Sequence, residues 1–244
     1  MAKKIGRRDF LKGAGIAAGA LAAVPAALVL TSEEAQAQSA TTYGVLVDTR
    51  RCVNCKACQI ACKMWNGNQP DPTTFKTDFT SATWTYVQEY ETGYYNELTP
   101  TAKYVTPKRQ CMHCEDPKCV HYCPMGGLAI HKEPDGPVLI NHDNCIRCLA
   151  CVNACPYGVP KYDETSKKVL KCIFCFDKLR RGEEPACVST CVAGALQIGA
   201  LADMTTLANT AATAGYPVYG LTAGKKTSWI YIFPKGVDPE KIIE

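Results

Sequence analysis

Residues 145–156 read C-I-R-C-L-A-C-V-N-A-C-P, with cysteines at Cys145, Cys148, Cys151 and Cys155 and a proline directly behind the last. A C-x2-C-x2-C-x3-C-P run lets one short loop wrap three thiolates around one face of an iron–sulfur cube. Its fourth thiolate ligates a second cluster. One such run therefore asks for a partner run in the same chain.

Working outward, the chain supplies three more groups. Group one is Cys52, Cys55, Cys58 and Cys62; group two is Cys111, Cys114, Cys119 and Cys123; the opening run is group three; group four is Cys172, Cys175, Cys187 and Cys191. Each ends in C-x3-C, and together they use all 16 cysteines of the 244 residues. At four thiolates per cube, the expectation is four 4Fe–4S clusters. Two other readings of so many cysteines compete. A structural zinc site uses two well-separated C-x2-C pairs and has no use for a third cysteine three positions on. Nested C-x2-C-x2-C runs also make poor disulfides, because bridge geometry restricts both Cα and Cβ positions. His113 and His121 lie inside group two, but every cysteine slot is filled, so His113, His121, His131 and His142 are expected in structural or surface roles.

The formal charge of +4 is mild and implies no nucleic-acid surface. There is no G-x-G-x-x-G, P-loop, nucleophile elbow or H-E-x-x-H, and nothing reads as a substrate site, so no catalytic residue is expected. Leu, Ile and Phe are sparse. Clusters must therefore form much of the core, and the metal-free chain is not expected to fold.

Residues 1–37 read as a targeting segment: Lys3, Lys4, Arg7 and Arg8, an apolar run over 13–30, then an A-x-A site at Ala35-Gln36-Ala37. Within it, R-R-D-F-L-K (7–12) resembles the twin-arginine export motif. Cleavage places the mature chain in the periplasm; the alternative is a retained anchor, 18 residues lying at the short edge of a spanning helix. Beyond it, residues 38–110 carry group one, 111–165 carry groups two and three, 166–200 carry group four, and 201–244 form a C-terminal helix and strand. Residues 43–48 and 84–90 read as strands, and 66–80 as loop. Hairpins are expected around Pro134-Asp135-Gly136 and between 159–162 and 168–171. Leu201, Met204, Leu207, Ala208 and Ala211 fall at helical spacing before a Gly215 cap, and W-I-Y-I-F (229–233) reads as a strand. No second apolar span reaches membrane length, so the mature chain is not expected to contain a transmembrane helix.

The motifs together resemble a family. C-V-N-C-K-A-C-Q-I-A-C-K-M-W-N (52–66), C-M-H-C-E-D-P-K-C-V (111–120) and K-C-I-F-C-F-D-K-L-R-R-G-E-E-P-A-C-V (171–188) are similar to the four-cluster, ferredoxin-like β subunit of formate dehydrogenase. The export motif and C-P-Y-G-V-P-K-Y-D (155–163) are equally similar to the ferredoxin-like subunit of periplasmic nickel–iron hydrogenase. The resemblance implies an α+β fold of two fused bacterial-ferredoxin-like modules, with irregular cluster-binding loops, small β-hairpins and short helices. It also implies exchanged ligands. Cys52, Cys55 and Cys58 would share a cluster with Cys191; Cys172, Cys175 and Cys187 with Cys62; Cys111, Cys114 and Cys119 with Cys155; and Cys145, Cys148 and Cys151 with Cys123.

The function so implied is electron transfer in anaerobic respiration, linking a large molybdopterin or nickel–iron catalytic subunit and an integral quinone-reactive membrane subunit or cytochrome. Another molybdenum reductase, or a free soluble multi-cluster ferredoxin, stands as the alternative. Two departures from the family pattern are visible. No C-terminal membrane helix follows group four. Val192 also stands where the family closes that group with Cys-Pro, which is expected to change the local turn.

Overall fold

The computed structural model describes residues 41–70, 77–92 and 103–244. The targeting segment at 1–37 lies outside the described residues, as does part of the 66–80 loop. The described chain mixes short helices with small sheets, an α+β arrangement.

Its largest sheet has four strands in the order β10-β1-β12-β11, comprising β1 (Tyr43–Asp48), β10 (Leu196–Ala200), β11 (Val218–Tyr219) and β12 (Trp229–Ile232). Strand β1 runs antiparallel to β10 and parallel to β12. Side chains alternate across a strand, and here both faces are buried. Val45, Val47, Leu196, Trp229, Tyr231 and Phe233 join the core cluster that also contains Met112, Phe174 and Cys187. Leu46, Ile230 and Ile232 pack with Met204 and Ala208 of helix α6 (Leu201–Thr213) on the other side. Burial on both faces is why β1 and β12 read as near-continuous apolar runs. Close approach on the α6 side requires a glycine: a Cβ on Gly44 would fall 2.9 Å from the Cα of Leu201. The expected apolar stripe of α6 holds at Met204 and Ala208, but Leu207 is exposed. Gly215 follows the helix with φ +84° and donates to the carbonyl of Ala212, as a C-terminal glycine does.

The strand expected over 84–90 is interrupted. Strand β2 (Tyr86–Val87) pairs with β5 (Lys108–Arg109), and β3 (Tyr90–Glu91) with β4 (Tyr104–Val105). Both pairs keep one register, so this is a single hairpin whose ladder breaks at Pro107, opposite Gln88. Proline has no N–H to give the ladder. The two hairpins read from turn residues are present: β6 (Ile130–Lys132) with β7 (Val138–Ile140), and β8 (Lys161–Asp163) with β9 (Lys168–Leu170).

The helices before the C-terminal layer are organised by the cysteines. Helix α1 (Ala57–Asn66) carries Cys58 and Cys62, α2 (Lys118–His121) carries Cys119, α3 (Ala150–Ala154) carries Cys151, and α5 (Ala186–Ser189) carries Cys187. A further short helix, α4 (Phe176–Leu179), follows Cys175, and α7 (Glu240–Ile243) ends the chain. Helix α1 packs against α5, and α2 against α3. Group one thus meets group four, and group two meets group three.

Candidate iron–sulfur centres

Each cysteine group opens with the same backbone device. The residue just before its second cysteine is left-handed: Asn54 (φ 54°), His113 (φ 46°), Arg147 (φ 61°) and Phe174 (φ 61°). No glycine marks these positions, and a bulky residue at positive φ is uncommon and costs conformational energy. The left-handed step curls each loop so that successive thiols turn toward one side. Groups two, three and four also close alike. The N–H of Gly126, Gly158 and Gly194 donates to the carbonyl of Cys123, Cys155 and Cys191 at 2.9, 3.1 and 2.9 Å, with all three glycines at positive φ. Val192, expected to change this turn, leaves it intact. A proline only presets φ at that position, and the glycine still carries the left-handed step.

The loops bring the cysteines together across groups. One cavity is lined by Cys52, Cys55, Cys58 and Cys191, with Val47, Val87 and Leu196 among its walls. A second is lined by Cys62, Cys172, Cys175 and Cys187, walled by Trp84, Phe174 and Trp229. A third is lined by Cys123, Cys145, Cys148 and Cys151, with Ile130, Ile140 and Val169. Cys111, Cys114, Cys119 and Cys155 are mutual electrostatic neighbours. Burial, then Cys111, Cys119 and Cys155, push the Cys114 thiol up to about 12.

Burial is the first cause of raised thiol pKa values elsewhere: about 12 for Cys58, Cys119 and Cys172, and about 11 for Cys151 and Cys175. Thiols so desolvated bind as thiolates only where a cation compensates them. Among the described residues, no three Cys, His, Asp or Glu side chains converge closely enough to hold one metal ion. The four thiols ring a space instead, as a multi-iron cube requires, and no carboxylate or imidazole lines any of the three cavities. Sets of four thiols around a space of this kind fit 4Fe–4S cubes.

His113, His121 and His131 make structural or surface contacts. His113 is fully buried, stacks on Phe174 with ring centroids 4.9 Å apart, and accepts from the Val138 N–H through Nδ1 at 2.8 Å. Burial, with Lys171, Lys132 and Lys108 nearby, holds its imidazole well below its ordinary pKa. His121 pairs with Asp116, and His131 with Glu133 at 2.8 Å.

The comparisons with known proteins agree with this geometry. A 4Fe-4S dicluster domain model matches residues 102–201, and a 4Fe-4S binding domain model matches 49–65. The B subunit of anaerobic dimethyl sulfoxide reductase from Escherichia coli K12 is 37% identical over 164 residues, covering 67% of this chain and 76% of that protein. The chain belongs to the ferredoxin-like iron–sulfur subunits of respiratory oxidoreductases. The iron-sulfur subunit of nitrate-inducible formate dehydrogenase from the same organism is also 37% identical, over 169 residues, covering 67% of this chain and 56% of that protein. The formate dehydrogenase-O iron-sulfur subunit is 36% identical over 170 residues, covering 67% of this chain and 55% of that protein. This chain thus spans little more than half the length of its formate dehydrogenase relatives. The matched domains make it a 4Fe–4S cluster-binding member of that family.

Sequence reasoning missed Lys108. Its ammonium is buried and lines both the first and the second cavity. Burial pulls its pKa down, but the electrostatic pull of the Cys187, Cys58 and Cys172 sulfurs outweighs this and holds it above its ordinary value. In the sequence it is one half of a K-R pair, which reads as solvated surface; only its place three residues before Cys111 hints otherwise.

Proposed function

We propose that this chain carries four 4Fe–4S clusters and links a catalytic subunit to a quinone-reactive membrane subunit on the periplasmic side of the membrane. The carrying observation is the cross-group sharing of cavities: Cys191 joins group one's first three cysteines, Cys62 joins group four's, and Cys123 joins group three's. Cys155 beside Cys111, Cys114 and Cys119 completes the set. Such sharing couples clusters in pairs, so the chain comprises two fused ferredoxin-like modules, one from groups one and four and one from groups two and three. A bound cluster supplies reversible one-electron storage. The protein holds it, keeps water away and sets its surroundings.

A formate dehydrogenase-like molybdopterin subunit is the catalytic partner that the group one, two and four motifs support. The equal identity and the larger covered share of the dimethyl sulfoxide reductase B subunit, 76% against 56%, favour a second reading, the same role beside a sulfoxide-reducing subunit. Exposed apolar side chains support docking. Val53, Ile60, Met64 and Val192 lie in or beside groups one and four, and Tyr122, Leu128 and Ile146 beside groups two and three, all exposed and open to a partner surface. Periplasmic placement rests on Arg7-Arg8 and the A-x-A site. Among the described residues no helix is long and apolar enough to cross a membrane.

Purifying the native protein anaerobically and identifying what accompanies it tests this function. A large molybdenum-containing subunit and a membrane subunit are expected. A chain that purifies alone, with full clusters, would mean a free electron shuttle.

A further inference from the structure

Lys108 is only 3% exposed and lies on β5, opposite Val87. Its ammonium donates to Oε1 of Gln110 at 3.0 Å and sits 4.5 Å from the ring centroid of Trp229. Gln110 is itself 1% exposed and donates to the hydroxyl of Tyr231 at 2.7 Å. That hydroxyl donates in turn to the Lys108 carbonyl at 2.7 Å. The side chain is therefore held by Gln110 and Trp229, and the backbone beneath it by Tyr231. Yet among the described residues no carboxylate pairs with it, and an ammonium has three donors for this one acceptor.

Three other buried or half-buried lysines are built differently. Lys63 reaches the carbonyls of Gln69 and Ala82, Lys132 those of His113, Cys114 and Gly136, and Lys171 those of Val138 and Cys172. A buried ammonium without an anion is strongly unfavourable. What Lys108 meets instead is sulfur. It lines the cavity of Cys52, Cys55, Cys58 and Cys191 and also that of Cys62, Cys172, Cys175 and Cys187. A cube held by four thiolates is anionic overall and gains one more negative charge on reduction. A fixed cation beside it therefore favours the reduced form, and net charge is one of the terms that set such potentials.

We infer that Lys108 is a positioning residue whose fixed charge, shared between these two cavities, raises the reduction potentials of both clusters together and so keeps the pair matched. This rests on the cavities holding clusters as proposed above. Lys108 acts only through the charge it presents to the two sites; no step of electron transfer passes through it.

Two variants separate charge from packing. Lys108→Met keeps an unbranched stem against Trp229 and removes the charge; Lys108→Arg keeps the charge. Each is made in the full-length chain, purified anaerobically, assayed for iron, and titrated with dithionite under EPR. In the methionine variant two of the cluster signals should titrate at lower potential, by at least tenfold in the one-electron equilibrium, which is about 59 mV. The arginine variant should stay near wild type. Selective loss of iron from two clusters in Lys108→Met, but not in Lys108→Arg, would equally support the charge. Unchanged potentials in an iron-replete Lys108→Met protein would overturn the inference, as would a shift or iron loss shared by both variants. Wild-type protein without iron would instead overturn the reading of the cavities themselves.

Discussion

The thiol of Cys62, from the first cysteine group, lines the same cavity as that of Cys175, from the fourth, although all of groups two and three lie between them in sequence. The packing of α1 on α5 makes this meeting, and the cavity it encloses sits against Trp84, Phe174 and Trp229 in the middle of the larger core. Without iron, this core has four desolvated thiols where packed atoms should be. Metal binding is worth about 10–16 kcal/mol in small metal-dependent domains, as much as the whole stability of an ordinary domain, about 5–15 kcal/mol. Removing iron with a chelator under reducing conditions should therefore abolish the near-ultraviolet circular dichroism and the cooperative thermal transition. A metal-free chain that still melts cooperatively near the holoprotein's temperature would contradict this.

The C-terminal strand should matter through one hydroxyl. Tyr231 is fully buried, donates to the Lys108 carbonyl and accepts from Nε2 of Gln110, both at 2.7 Å. Tyr231→Phe removes that hydroxyl from two buried partners, a loss of about 1–3 kcal/mol, which is about 2–12 °C in melting temperature for a domain of this size. Differential scanning calorimetry of the holoprotein measures it. A change below about 1 °C would mean the network is dispensable.

The cysteine spacing made the cluster type legible because ligand geometry leaves few ways to arrange thiols around a cube. The hairpins at Asp135-Gly136 and 163–167 were legible because turn chemistry is local. The four-stranded sheet was not. Its strands β1, β10 and β12 are each short and doubly buried, so no alternation reveals a face, and their pairing joins residues far apart in sequence. The left-handed residues Asn54, His113, Arg147 and Phe174 were also hidden, since bulky side chains there give no local signal and the conformation is imposed by the folded loop. Lys108 stayed hidden for a similar reason: only tertiary structure converts a lysine beside an arginine into a buried cation.

Export should depend on the arginine pair. Arg7 and Arg8 precede a weakly apolar run and an A-x-A site, an arrangement suited to a route that carries folded proteins. That route implies cluster assembly before export, so replacing both arginines with lysine should leave iron-replete protein on the cytoplasmic side. Cell fractionation with an immunoblot checks this. Unchanged delivery of the doubly substituted chain to the periplasm would contradict the assigned route.

Iron counting in cysteine variants tests the cross-group sharing most directly. The wild-type chain should hold about 16 irons and no zinc, and Cys191→Ala should lose about 4 of them. Adding Cys55→Ala should cost no further iron, because both cysteines serve one cluster. Adding Cys175→Ala should instead bring the loss to about 8, because a second cluster is removed. If Cys175→Ala adds nothing to Cys191→Ala while Cys55→Ala doubles the loss, each group keeps its own four ligands and the paired-module account is wrong.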